Sequence, residues 1–372
     1  MLPDAAHGDV IDDHRFPCEV CGAELRYNPG DGTLTCDHCG HQEAILAPAR
    51  GWQLAELDLR AALKGQLGQI NYETHRVTNC NNCGASIEFT NDDHAKECAY
   101  CASPVVIDTG ESRLFKPKGV IPFRVSEKQA TDTLSNWLGK RWFAPSGLSQ
   151  YARKGRAMNG VYIPFWTFDA QTQTDYIGQR GDVYYETVGH GENRRRVARV
   201  RWRGARGRVS RFFDDVLILA SKALPREYTD ELQPWDLSAL EPYNPEFLAG
   251  YRAEAYSVTL EEGWQEAQSI MKSVITRDVK FDIGGDRQQI SDMQTRMGEL
   301  GFKHILLPIY TLAYKFRGKT YRCVINGQTG RVTGERPYSP WKIFFAILGL
   351  IVLTILFAFM AQNSGYVQVR TN

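Results

Sequence analysis

Residues 343–361 read IFFAILGLIVLTILFAFMA, an apolar run without one charge. A bilayer core of about 30 Å takes about 20 apolar residues in a helix, so the run predicts a transmembrane helix over 342–361. Trp341 and Lys342 stand at its border, where interfacial side chains belong. A helix with one solvated face carries polar residues along that face, and here every face is dominated by apolar ones. Residues 53–70 differ: Leu59, Leu63, Leu67 and Ile70 fall at helical spacing. They predict an amphipathic linker helix (52–72) that packs on the ribbons or the next domain, the alternative being a partner-binding helix.

Two capping boxes mark further helices. Ser126-Glu127-Lys128-Gln129 precedes a stripe of Ala130, Leu134, Trp137 and Leu138; Thr259-Leu260-Glu261-Glu262 precedes Trp264, Ala267, Met271 and Val274. Strand patterns rich in β-branched and aromatic residues follow each helix. After the first come 161–169 and 183–188. After the second come 305–316, a turn at Arg317-Gly318, 320–325, the Asn326-Gly327 turn and a short strand into Gly334. Tyr162-Ile163-Pro164-Phe165-Trp166-Thr167 answers Leu306-Leu307-Pro308-Ile309-Tyr310-Thr311. The pattern predicts two related α+β units, 120–225 and 250–337, each a curved antiparallel sheet covered by a helix.

Eight of the nine cysteines form two matching quartets: Cys18, Cys21, Cys36, Cys39 and Cys80, Cys83, Cys98, Cys101. Each has 14 residues between its CxxC pairs, the spacing of a zinc ribbon. Gly-Ala follows the second cysteine in both, then an apolar–x–aromatic alternation begins (Leu25-Arg26-Tyr27, Ile87-Glu88-Phe89). Gly22 and Gly84 suit the positive φ of a knuckle. Ribbons are therefore expected at 14–46 and 76–108, holding two structural Zn²⁺. A closed Cys₄ site has no coordination position left for substrate or water, so these metals are not catalytic. Each replaces the core of a module too small to build one. His38, His41, His75 and His94 are read as surface residues beside complete thiolate sets.

Disulfides would need an oxidising compartment, and the acidic N-terminus lacks the apolar segment of a secretory signal. Arg331, Arg336 and Lys342 precede the apolar run while Arg370 alone follows it in the 362–372 tail. The positive-inside rule then keeps the large N-terminal region cytoplasmic, as a single-pass tail anchor in the plasma (inner) membrane. The fold class expected is α+β: two small Cys₄ ribbons, an antiparallel-sheet region and one C-terminal transmembrane helix. With 44 basic and 43 acidic residues, the net charge of +1 gives no global sign of a nucleic-acid binder.

One local bias stands out. Arg194, Arg195, Arg196, Arg199, Arg201, Arg203, Arg206, Arg208 and Arg211 fall within 18 residues. Period-two alternation would place several guanidinium groups on one strand face. Such a face meets phosphates of nucleic acid or lipid, or an acidic partner; alternatively it is solvated and paired with nearby Asp214 and Asp215. Gly318-Lys319-Thr320 ends like a phosphate-binding loop, but Ala313 stands where the first glycine is required, and the context is a hairpin. Cys323 alternates with Tyr321 and Ile325 on one strand face and is expected to be a buried, inert thiol. Asp169, Asp175, Asp182, Asp214 and Asp215 show no spacing that selects a catalytic pair.

The ribbons, then 162–169, Phe212-Phe213-Asp214-Asp215-Val216-Leu217, Lys303-His304-Ile305-Leu306-Leu307-Pro308, Asn326-Gly327-Gln328-Thr329-Gly330 and Gly334-Glu335-Arg336-Pro337 before one apolar helix together resemble a bacterial family. Its members are membrane-anchored tandem zinc-ribbon proteins, often labelled primosomal protein N′ (replication factor Y) helicase-like or transcription factor IIB-type. The ATPase motifs that would justify a helicase label are missing from this sequence. The resemblance implies a non-enzymatic adaptor that docks cytosolic proteins, of the phage-shock or SPFH/virion-core scaffold type, at the inner face of the membrane. The other reading is a membrane-tethered nucleic-acid-binding protein using the ribbons and the arginine strand; the balanced charge and absent ATPase favour the adaptor.

Overall fold

Burial without alternation sets the architecture. Every residue from 161 to 170 and from 301 to 312 is buried, the signature of strands with a layer on each face. A computed structural model describes residues 16–45, 54–89, 95–101, 103–106, 111–145, 158–190, 194–316 and 319–363. The Arg317-Gly318 turn, His94 and the tail from residue 364 lie outside the described residues.

In chain order, ribbon 1 contains β1 (Leu25–Asn28), β2 (Thr33–Cys36) and β3 (Gln42–Ala44). β4 (Leu57–Asp58) and helix α1 (Leu59–Leu63) lead to the second ribbon region, β5 (Tyr72–Asn79), β6 (Ser86–Phe89), β7 (Ala95–Glu97), β8 (Pro104–Val106) and β9 (Glu111–Phe115). β10 (Gly119–Val120), α2 (Glu127–Gly139), β11 (Asn159–Val188) and β12 (Arg195–Leu219) follow. α3 (Arg226–Glu231), β13 (Glu241–Pro242) and β14 (Arg252–Ala253) precede α4 (Leu260–Ile283), β15 (Arg287–Phe316), β16 (Lys319–Asn326), β17 (Val332–Gly334) and α5 (Pro340–Asn363).

The linker helix is far shorter than its periodicity predicts. The Asp58 carboxylate accepts from the Ala61 N–H and starts α1, and Gly65 at φ +66° ends it. Leu59 is still buried, with Leu63 and Leu67 packed beside the same cluster, so the apolar spacing served a strand–turn–loop path.

The two expected units do not own separate sheets. They share one nine-stranded mixed sheet in which β11 and β15 run antiparallel at its centre. Ile163 pairs with Leu307, Tyr162 with Pro308 and Pro164 with Leu306, so the two proline motifs lie across a local two-fold axis. Each unit sends its leading strand to the other: β10 runs parallel to β15 and β14 parallel to β11. Both capping boxes form, Ser126 with Gln129 and Thr259 with Glu262. Separate sheets would leave one face of each apolar motif unpaired at the axis; the exchange buries both.

The ribbons are layers of this core. On one face, Cys18, Leu25, Tyr27, Leu34 and Cys36 cluster with α2 (Leu134, Leu138) over Tyr162 and Leu306. On the other, Cys80, Ala85, Cys98 and Tyr100 pack with Trp235 over Ile163 and Leu307. The expectation of small self-contained modules is corrected accordingly: the sheet is held between two zinc ribbons.

Beyond Asp169 the sheet narrows to an arm of β12, β11 and β15. From residue 170 to 188, β11 extends about 60 Å at roughly 3.3 Å per residue. α4 covers one face of the arm with Leu260, Trp264, Ala267, Met271, Ile275, Val279 and Ile283. β15 begins opposite Gly181, so the last seven pairs, Asp182–Arg201 to Val188–Arg195, form a two-stranded tip. At the opposite end of the sheet, past α2, the Ser339 N–H donates to the Phe143 carbonyl and Lys342 Nζ to that of Ala144. There α5 leaves the body.

Met271 is fully buried under α4, whereas Phe281 on the same helix is 89% exposed. Met271→Ala is expected to cost about 2–5 kcal/mol and Phe281→Ala less than about 0.5 kcal/mol, measured by denaturant unfolding. Equal costs would remove α4 from the arm.

Candidate metal centres and charged clusters

Each ribbon presents its cysteines on hairpin knuckles built by backbone hydrogen bonds. Gly22 N–H donates to Cys18 O at 2.8 Å, Gly40 to Cys36 at 2.9 Å and Gly84 to Cys80 at 2.8 Å. These glycines have φ of +73°, +74° and +77°, conformations that a Cβ opposes, as the sequence predicts for Gly22 and Gly84. The tight turns aim two sulfurs per knuckle at one point. In each quartet the ligand atoms lie within 4.8 Å of one another. Sulfur separations are 3.6 Å (Cys18–Cys39), 3.5 Å (Cys21–Cys36), 3.6 Å (Cys80–Cys101) and 3.6 Å (Cys83–Cys98). Zn–S bonds of about 2.3 Å in a tetrahedron give edges of about 3.8 Å, whereas a disulfide would bring sulfurs to about 2.05 Å. The two Cys₄ sites fit two structural zinc ions. His41 lies 3.4 Å from Glu43 and outside the thiolate set.

The ribbons differ in how they are set into the body. In ribbon 1, Tyr27 is buried, its N–H donates to Ala249 O at 3.0 Å, and its ring packs edge-on to Phe247. Cys21 and Cys39 nevertheless remain exposed. In ribbon 2, Tyr100 lies between Cys98 and Cys101 and donates to Glu254 Oε2 at 2.5 Å, while Ser221 donates to Oε1 at 2.7 Å. Burial raises the Glu254 carboxyl to about 7. Cys83 and Cys101 are half-buried.

A second cluster marks the junction of body and arm. Opposite Asp169, β12 sets two residues, Asp214 and Asp215, and opposite Ala170, β15 sets two, Glu299 and Leu300, so that two bulges of one extra residue each lie at one level. Asp215 and Glu299 take φ of +51° and +49°. Asp169 Oδ1 accepts the Asp215 N–H at 2.7 Å. The ammonium of buried Lys303 lies 2.8 Å from both Glu56 and Asp215. Three carboxylates face one ammonium, and burial with a hydrogen bond to Glu56 raises Asp169 to about 7. The sequence offered Asp169 and Asp215 without a reason to pair them. Glu56, Lys303, Tyr100 and Glu254 went unnoticed because their partners are distant in the chain; the one local signal was a lysine entering an apolar strand at Lys303-His304-Ile305.

The arginines do not form one patch. Steps of three, Arg203 to Arg206 and Arg208 to Arg211, switch faces in a strand whose register is unbroken. Arg195, Arg199, Arg201, Arg203 and Arg211 share the face of α4, and Arg196, Arg206 and Arg208 the other; Arg194 precedes the strand. Their carboxylate partners are not Asp214 and Asp215, which lie at the bulge. Arg199 pairs with Glu186, Arg208 with Asp175 and Arg211 with Asp278, all at 2.5 Å. Arg196 and Arg201 stack on Tyr185 and Tyr184. Cys323 is buried, which pushes its thiol up to about 12.

The family described as "Zinc-finger of RNA-polymerase I-specific TFIIB, Rrn7" matches residues 12–44. Residues 12–44 are thus similar to a TFIIB-type zinc ribbon, and a second Cys₄ cluster stands in tandem with it. The uncharacterised protein YdjG of Bacillus subtilis (strain 168) is 24% identical over 363 residues, covering 94% of this chain and 99% of YdjG. No solved structure matches.

Two zinc ions per chain are expected by elemental analysis of reduced protein, and a chelator should empty ribbon 1 first, since its outer thiolates are exposed. Because Cys98 sits in the body's core, Cys98→Ser should lower the midpoint of the whole body by roughly 10 °C, taking ~3–5 kcal/mol of lost packing at ~2–4 °C per kcal/mol. An unchanged body would make ribbon 2 an independent module.

Asp169 has a folded-state value raised from 3.8 to about 7. Its stabilisation is therefore fully present below about pH 4 and lost as pH rises through 7. Asp169→Asn, which stays neutral, should gain stability relative to the parent between pH 4 and 8. A pH-independent difference would refute the retained proton.

Proposed function

We propose that the protein is a non-enzymatic, membrane-anchored zinc-ribbon adaptor that docks cytosolic proteins at the inner face of the membrane. The observation that carries this reading is α5. Within Pro340–Met360 the most apolar 18-residue window has a mean hydropathy of 2.9, and none of that window is buried. Among the described residues it is the one helix long and apolar enough to cross a membrane. Roughly 20 such residues left in water would be a large unsatisfied apolar surface, and a bilayer satisfies it. Arg331, Arg336 and Lys342 before it favour a cytoplasmic body.

The closed thiolate sets support an adaptor over an enzyme, since neither offers an open coordination position. The near full-length similarity to YdjG supports one conserved arrangement of ribbons, sheet and apolar helix without naming its task. The arm supplies reach: it leaves the sheet at the end away from α5. The resemblance to membrane-anchored tandem-ribbon proteins suggests scaffold proteins of the phage-shock or SPFH/virion-core type as partners.

A protease-sensitive tag placed after Asn372 should be cut by external protease in intact cells while the ribbons stay protected. Affinity purification from membranes should bring down a cytosolic protein whose recovery falls several-fold in an Arg199→Ser, Arg201→Ser, Arg203→Ser variant. Nucleic-acid binding should stay no tighter than about 10⁻⁶ M near physiological salt. Ribbons cut from outside would refute the orientation, and submicromolar binding to a defined nucleic acid, lost in that variant, would refute the adaptor.

A further inference from the structure

We propose that the outer edge of β12, at the end of the arm, is a docking site for an extended segment of a cytosolic protein in which acidic and apolar residues alternate. This deepens the adaptor reading and rests on it for the partner's being a protein.

The first observation is the edge itself. Among the described residues β12 pairs only with β11 along its 25 residues. Its outward N–H and C=O groups form a template to which another strand can add. A free edge of this length is a hazard unless its charges choose what may pair with it. Here they have one sign, since the arginines run from Arg195 to Arg211 and the first carboxylate of the strand is Asp214. Antiparallel pairing of two copies would set arginine against arginine, a destabilising juxtaposition. A second copy is thereby disfavoured and an acidic strand favoured.

The second observation is which anions these arginines already hold. Glu186, Asp175 and Asp278 each place a carboxylate on a guanidinium of this strand. Among the described residues no ion pair engages Arg195, Arg203 or Arg206. Arg203 stands directly opposite Arg180 in the ladder, and the carboxylate there, Asp182, is held by Arg180 at 2.9 Å, which leaves Arg203 to a further anion.

The third is the chemistry of the two-stranded tip. On the α4 side lie Asp182, Tyr184, Glu186, Arg195, Arg199, Arg201 and Arg203. On the other lie Val183, Tyr185, Ala198, Val200 and Trp202, with Arg196 laid over the Tyr185 ring; Tyr185 is 62% and Trp202 42% exposed. A hairpin without a third strand or a covered face is marginal in water. A third strand with carboxylates on one side and apolar side chains on the other completes both faces. Nucleic acid would meet the arginines and leave the apolar face and backbone edge uncovered. The bilayer that receives α5 lies off the opposite end of the sheet.

The test uses the full chain in neutral-lipid nanodiscs and a fluorescein-labelled synthetic peptide of roughly eight residues alternating Glu and Val, read by anisotropy near physiological salt. The alternating peptide should bind at least about tenfold more tightly than one of the same composition with Glu and Val in separate blocks. N-methylation of one alternate set of backbone amides should weaken binding by about tenfold or more, and of the other set much less. Arg195→Ser with Arg203→Ser, and separately Trp202→Ser, should each weaken binding, with far-ultraviolet circular dichroism confirming the fold. Equal binding of block peptide or single-stranded DNA, or indifference to both N-methylations, would overturn strand addition and leave a general polyanion surface. Because the ligand is synthetic, such a failure would leave the co-purification and topology outcomes untouched.

Discussion

The ammonium of Lys303 is the fixed point on which body and arm both depend. A buried lysine is tolerated only with anionic partners within hydrogen-bond reach, and removing them strands a charge at a cost of about 3–5 kcal/mol. Glu56 arrives from the segment between the ribbons and Asp215 from a bulge in β12. Asp169, in the central strand, takes the amide that the bulge would otherwise leave unpaired. Three segments far apart in the chain are thereby held where the sheet changes from a two-sided core to a three-stranded arm. Bulges bend strands and increase their twist, and two at one level set the direction in which the arm leaves.

On the body side of that junction, zinc is part of the core. Each ribbon contributes two ligating cysteines and its own apolar side chains to a cluster that also contains the central strands. The metal holds a knuckle that has little internal packing, and the knuckle in turn covers one face of the sheet. Tyr100 between two ligands and Glu254 beneath them join metal site and sheet through a hydrogen bond that is buried at both ends. The coupling is tighter in ribbon 2 than in ribbon 1, whose outer thiolates face solvent.

The local two-fold gives the molecule two ends of different surface chemistry. α2 and α4 are equivalent in order and capping, and they cover opposite halves of the sheet. Beside the segment that follows α2 the chain leaves the body as the apolar helix α5; beneath α4 the strands run on into the arm. One half carries an exposed apolar helix and the other presents charged edges and aromatic side chains. This polarity is the physical basis for reading the protein as a tether with a reach.

Local chemistry was enough to determine the cysteine quartets, the knuckle glycines, both capping boxes, the stripe of α4 and the apolar run of α5. Each of these depends on residues a few positions apart, so spacing alone specifies them. The repeated proline motif was legible too, as was Cys323 among its apolar neighbours. What the motif does was decided only by the tertiary structure: two copies pair with each other across an axis and exchange leading strands, so two units become one sheet. The amphipathic spacing of 53–70 was satisfied by a strand and one helical turn, because Asp58 caps late and Gly65 ends early. The arginines looked like one face until the register showed two. Lys303 with its carboxylates, and Glu254 with Tyr100, depend on residues between 46 and 247 positions apart, and no local pattern encodes a contact that only folding creates.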